Sequence, residues 1–100
     1  MNLQKKATLL HEHVPANWYY QSLKVDPLQR YWHRRRFEEI GGLIEPTGGR
    51  ILDIGCADGM FSKVIMDKSK AKELIGIDVL KTSIAWAKKH WAKIGRMKFR

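Results

Sequence analysis

The sequence predicts an α/β fold built on a parallel sheet, and three observations carry that prediction. Short apolar runs, Arg50-Ile51-Leu52-Asp53-Ile54 and Leu74-Ile75-Gly76-Ile77, alternate with longer stretches of helical period. The first run opens into a loop with two glycines, Gly55-Cys56-Ala57-Asp58-Gly59, and the second closes on Asp78. Strand–helix–strand alternation of this kind calls for right-handed crossovers and parallel strands.

The N-terminal half reads as helical. A short helix is expected from Leu3 to His11, a break at Val14-Pro15-Ala16-Asn17, and another short element from Trp18 through Leu23. Asp26-Pro27 is a helix start, because Asp accepts backbone N–H bonds as an N-cap and Pro suits the first helical position. Leu28, Tyr31, Trp32, Phe37, Ile40, Leu43 and Ile44 then recur every three or four residues, which predicts an amphipathic helix. Gly41-Gly42 weakens its end, and Pro46 with Gly48-Gly49 stops it.

From Arg50 the period changes. The run Arg50–Ile54 is expected to be a strand buried on both faces. Met60 to Met66 reads as a helix with Phe61, Val64 and Ile65 on one side, and Leu74–Ile77 as a second strand. Leu80, Ile84, Ala87, Trp91 and Ile94 mark the clearest amphipathic helix, ended by Gly95, and Met97-Lys98-Phe99 begins a third strand. With only three strands traceable, the sheet is expected to be unfinished.

Composition narrows the class. The chain has 100 residues and a formal charge of +9, of which residues 50–100 carry +7. One cysteine, Cys56, excludes an internal disulfide framework and fits a reducing, cytoplasmic setting. No apolar run approaches the roughly 18 residues of a membrane span. The basic stretches, Arg34-Arg35-Arg36 among them, are read as solvated faces rather than a nucleic-acid surface. Trp32 and Trp91 fall at helical core spacing instead of forming an exposed stacking row. His11 and His13, without a third ligand, give no metal site.

Ligands of open parallel sheets bind at the carboxyl ends of the strands. There Gly55 and Gly59 permit a tight turn and close backbone approach, and N–H groups at the start of the next helix can hold a carboxylate or phosphate. Asp78, at the end of the second strand, can accept hydrogen bonds from both hydroxyls of a ribose. Together they describe a site for an adenosine-containing cofactor. A dinucleotide fingerprint from Gly55 would need glycine where Ala57 and Met60 stand, and no Gly-Lys-Ser/Thr of a P-loop follows.

The spacing Asp53, Gly55, Ala57, Gly59 resembles the first motif of class I S-adenosylmethionine-dependent methyltransferases. Leu74 to Val79 resembles their second motif, and Ile84 to Lys89 the helix after it. Ala57 stands where many members have glycine, and Leu80-Lys81 where they often place Ser-Pro. The resemblance implies a Rossmann-like methyltransferase sheet of which the first three strands are present. It divides the chain into a helical lid or substrate segment, residues 1–49, and an incomplete cofactor-binding part, residues 50–100.

On that resemblance, S-adenosylmethionine is the cofactor, with the Gly55–Gly59 backbone, Cys56 and Ala57 included, around its methionine part. Asp53 helps hold the loop and the amino group, Asp78 the ribose and Val79 the adenine. The layout is most similar to the quinone-biosynthesis-type branch, which implies a small-molecule or lipid acceptor. Tyr20, Tyr31, His33 and Arg34 are the lid candidates, while Trp86 and Trp91 are read as packing. The chain by itself is expected to bind cofactor weakly and to transfer no methyl group. Two other readings stay open: a nicotinamide-dependent oxidoreductase fragment, and a basic nucleic-acid-binding module or RNA methyltransferase fragment. No catalytic residue is assigned, and Cys56, without a base beside it, is read as a loop residue.

Overall fold

The computed structural model describes residues 2–10, 14–44 and 48–100; His11, His13 and Pro46, raised above as a metal pair and a helix stop, lie outside them. The elements run α1 (Leu3–Leu10), α2 (Trp18–Val25), α3 (Pro27–Gly42), β1 (Arg50–Ile54), α4 (Met60–Ser69), β2 (Glu73–Ile77), α5 (Lys81–His90) and β3 (Met97–Phe99). The strands form one parallel sheet in the order β1-β2-β3, as the alternation predicts. Asp26 starts α3 as expected, its carboxylate accepting the N–H groups of Leu28 and Gln29.

Both crossovers step in the same direction along the sheet, and right-handed connections therefore place α4 and α5 on the same face. That face, with Leu74, Met97 and Phe99, is buried against Ile65, Met66, Ile84, Ala87 and Trp91. Gly76 sits among them because a side chain there would meet Phe99 Cδ1 at 2.8 Å and Cys56 Sγ at 2.9 Å. The helix α3 packs on the outside of α4, where Phe37 stacks on Phe61 at 4.8 Å.

The opposite face carries Leu52 and Ile54, in register with Ile75 and Ile77. Leu52 is 58% and Ile54 75% exposed, so β1 is not buried on both faces as its apolar run suggested. The run does form a strand, and a second helical layer over it is missing among the described residues. At the start of the strands this face is closed by ions, Glu73 pairing with Arg50 at 2.8 Å and with Lys98 at 3.2 Å.

The stripe predicted for α3 is also corrected. Its buried residues are His33, Phe37 and Gly41, one helical turn apart, whereas Leu28, Tyr31, Trp32, Ile40 and Leu43 are exposed. The histidine ring takes an inner position by packing edge-on to Tyr19 at 5.3 Å. In α4 the buried positions are Ser62, Ile65, Met66 and Ser69, with Phe61 turned toward α3. The last helix stops at His90 rather than Gly95, because Trp91 leaves helical geometry there and donates its indole N–H to the carbonyl of Asp58 at 2.8 Å.

Candidate functional site

In-register pairing of β1 and β2 sets Ile54 beside Ile77, so the loops leaving both strands emerge together. A cavity of about 810 Å³ opens there, with Gly55, Ala57, Asp78 and Val79 on its floor and Trp18 and Tyr19 in its roof. This lies within the usual volume of a small-molecule site. Of the residues predicted to hold a cofactor, Gly55, Ala57, Asp78 and Val79 line this cavity, whereas Asp53, Cys56 and Gly59 do not.

The loop needs left-handed backbone at Gly55 (φ 77°), Ala57 (φ 49°) and Gly59 (φ 80°). The two glycines answer different demands. A Cβ on Gly59 would sit 2.7 Å from Phe99 Cζ and 2.8 Å from Trp91 Nε1, so Gly59 is required by packing. A Cβ on Gly55 would meet no atom within 4 Å, so the bare Cα faces open cavity. Ala57 tolerates its conformation at a cost of roughly 1–2 kcal/mol, which is why glycine suits this place in the motif.

The N–H groups of the loop turn inward. Those of Gly55 and Cys56 both donate to the Ile77 carbonyl, at 2.8 and 3.0 Å, and that of Gly59 to the Cys56 carbonyl at 3.0 Å. Ala57 donates to Asp78 Oδ2 at 2.7 Å and Met60 to Asp58 Oδ1 at 3.0 Å. A phosphate entering here finds these five donors already engaged.

What surrounds the loop is carboxylate. Asp78 also accepts from the Leu80 N–H at 2.8 Å, so it ties the loop to the turn into α5 while each oxygen keeps a second lone pair. Asp53 reaches α4, accepting from the Ser62 hydroxyl at 2.6 Å. Burial raises the pKa of Asp53; the Ser62 bond opposes that and the charge of Asp78 adds to it. Asp58 is 1% exposed, and burial raises its pKa against the pull of its backbone N–H donors. These groups form a negative cluster whose charge is poorly solvated, a setting that favours a cation.

The cysteine thiol points away from the cavity. Cys56 is buried in the core, and desolvation with the charges of Asp53 and Asp78 pushes its thiol up to about 12, so it is no nucleophile at neutral pH. The lid candidates are corrected as well. Tyr20 packs its ring on His90 at 4.5 Å and Trp86 at 5.0 Å, His33 is buried behind Tyr19, and Tyr31 and Arg34 face solvent on α3. None of the four lines the cavity; Trp18 and Tyr19 do. Trp86 and Trp91 are packing residues, as expected. The sequence reading overlooked Asp58, whose place two residues before the start of α4 was a signal for a helix-start turn.

The model of the FtsJ-like methyltransferase family matches residues 34–98. No curated protein matches the chain in sequence. Among solved structures the chain is similar to phosphoethanolamine N-methyltransferase 1 of Haemonchus contortus, in complex with phosphoethanolamine and S-adenosylhomocysteine, with 18% identity and a TM-score of 0.68 over 97% of this chain. It is similar to the N-methyltransferase NodS of Bradyrhizobium japonicum WM9, with 21% identity and a TM-score of 0.60 over 99% of this chain. TrmK of M. capricolum gives 20% identity and a TM-score of 0.55 over 65% of this chain. At these identities the likeness is one of fold. The chain spans 20%, 47% and 30% of those three proteins, respectively.

Proposed function

The chain belongs to the FtsJ-like methyltransferase family, and from that premise we propose that its cavity holds S-adenosylmethionine for methyl transfer to a small-molecule or lipid acceptor. The observation that carries the reading is the acidic, donor-poor loop. Asp58 and Asp78 line the cavity, Asp53 stands two residues before the turn, and the N–H groups of Gly55, Cys56, Ala57, Gly59 and Met60 are bonded internally. Such a site suits a ligand bearing an ammonium and a sulfonium, and offers little to a pyrophosphate.

In this reading Gly55 gives the methionine part its bare Cα surface, and Asp53 faces the amino group. Asp78 accepts from the ribose hydroxyls with its remaining lone pairs, and the half-exposed Val79 covers the adenine. Cys56, Ala57 and Gly59 shape the turn. When bound, the cofactor supplies a methyl group on a positively charged sulfur that leaves as a neutral thioether. The chain's task is then to position the reacting atoms and exclude water, which Trp18 and Tyr19 do from the roof.

Residues 1–49 serve as a helical lid or substrate segment, of which Trp18 and Tyr19 reach the cavity, and 50–100 as the cofactor-binding part of a longer domain, whose remainder covers the bare face at Leu52 and Ile54. Exposure of that face and the 20–47% span of the solved methyltransferases above support this division. By itself the chain binds cofactor weakly and transfers no methyl group. Its acceptor class is that of the quinone-biosynthesis-type branch, and its setting cytoplasmic. Among the described residues no helix is long and apolar enough to cross a membrane.

A second reading, an RNA acceptor, is favoured by one observation. Tyr31 and Trp32 are 66% and 62% exposed on α3, the opposite of the core role their spacing suggested, and Arg30, Arg34 and Arg35 are exposed beside them. Exposed aromatic rings among cations are what stacked bases and phosphates use.

Titration calorimetry with S-adenosylhomocysteine and with NAD tests the cofactor. Binding of the former alone, abolished by Asp78→Ala and by Gly55→Val, is expected; binding of NAD in its place refutes the reading. A steep salt dependence of RNA binding that is lost in Trp32→Ala with Arg34→Ala would move the acceptor to RNA.

A further inference from the structure

The roof helix lacks a cap of its own. Asn17, at the N-cap position of α2, makes no capping bond; its carboxamide oxygen instead accepts from the Gln21 side chain at 2.7 Å. The acceptor comes from elsewhere in the chain. Asp58 Oδ2 accepts the Tyr20 N–H, in the first turn of α2, at 3.0 Å across a separation of 38 residues. Its other oxygen, Oδ1, accepts from Met60 at the start of α4, and its carbonyl accepts from the Trp91 indole. One residue therefore joins the roof, the cofactor loop and the end of α5. Its side chain is 1% exposed and has no freedom to serve these partners in turn.

We propose that Asp58 is a positioning residue: it caps α2 in place of Asn17 and couples the placement of Trp18 and Tyr19 over the cavity to the conformation of the Gly55–Gly59 loop. Ligand bound at the loop then tightens the roof, and a disordered roof weakens the loop's hold on the ligand. The ligand's identity in this coupling rests on the S-adenosylmethionine reading; the cap itself does not.

Two substitutions separate this role from simple stability. Asp58→Ser keeps a hydroxyl able to bond the Met60 N–H two residues on, but is too short to reach Tyr20. Asp58→Asn keeps the shape and one oxygen, enough for one of the two N–H groups. Amide hydrogen exchange on the 100-residue chain, with and without S-adenosylhomocysteine, reads the result. Without ligand, Asp58→Ser is expected to speed exchange at Tyr20 by roughly 2- to 30-fold, the range of a lost cap, leaving α4 and β2 unchanged, with Asp58→Asn between it and the parent. With ligand, exchange at Tyr20 slows in the parent chain and not in Asp58→Ser. Unchanged exchange at Tyr20 in Asp58→Ser, or equal slowing by ligand in both chains, overturns the proposal. If ligand leaves the loop amides of the parent untouched, the cofactor reading fails, while the ligand-free comparison still decides the cap.

Discussion

Alanine at Gly55 and at Gly59 gives a paired prediction, because both residues have the same backbone requirement and opposite surroundings. At φ 77° and 80° each alanine meets the left-handed cost of roughly 1–2 kcal/mol, and each recovers about 0.4–1 kcal/mol by restricting the unfolded chain. These contributions cancel in the comparison. At Gly59 the new methyl also lies 2.7 Å from Phe99 Cζ and 2.8 Å from Trp91 Nε1. The indole cannot yield without giving up its bond to the Asp58 carbonyl, so overpacking of about 1–3 kcal/mol is added. At Gly55 there is nothing within 4 Å to collide with. Denaturant unfolding should therefore find Gly59→Ala less stable than Gly55→Ala by about 1–3 kcal/mol, or very roughly 4–24 °C in midpoint temperature. Affinity for S-adenosylhomocysteine should fall about tenfold or more in Gly55→Ala, whose methyl enters the cavity, a loss of about 1.4 kcal/mol. Equal stability of the two variants, or undiminished binding by Gly55→Ala, would refute the division of labour drawn from the loop.

Other expectations follow from the buried titratable groups and from Ala57. Asp53 has its pKa raised, chiefly by burial, so the folded state holds its proton more tightly than the unfolded one and stability falls as pH rises from 3.8 through the folded value. Asp53→Asn should raise the midpoint temperature at pH 7 while weakening S-adenosylhomocysteine binding; a lower midpoint contradicts this. His33 has its pKa lowered from 6.5 by burial and then by Arg36, so its contribution is whole above 6.5 and is lost as pH falls toward the folded value. His33→Gln should flatten that acid limb, and a limb as steep as the parent's would rule His33 out as its source. Ala57→Gly should stabilise the chain by up to about 1.6 kcal/mol through relief of left-handed strain, and a clear loss in chemical denaturation would count against that strain.

The parallel sheet and the loop residues were legible because their signals are local. A change of period on either side marks β1, β2 and β3, and Gly55, Ala57 and Asp78 meet at one cavity because parallel register aligns the strand ends. What was not legible depends on which surfaces meet. Tyr31 and Trp32 recur at core spacing yet face solvent, since α3 buries the narrower stripe of His33, Phe37 and Gly41. Likewise Leu52 and Ile54 read as doubly buried because hydropathy reports what a strand can bury, not whether a second layer lies over it. The bond from Tyr20 to Asp58 spans 38 residues and leaves no periodic trace.

The place proposed for S-adenosylmethionine is the cavity at the ends of β1 and β2. Amide chemical-shift mapping with S-adenosylhomocysteine tests it most directly. Perturbations are expected to centre on Gly55, Ala57, Asp58, Asp78 and Val79, to extend to Trp18 and Tyr19, and to be absent in Asp78→Ala. Perturbations confined to the exposed face of α3 or to the bare face at Leu52 and Ile54, with the loop silent, would contradict it.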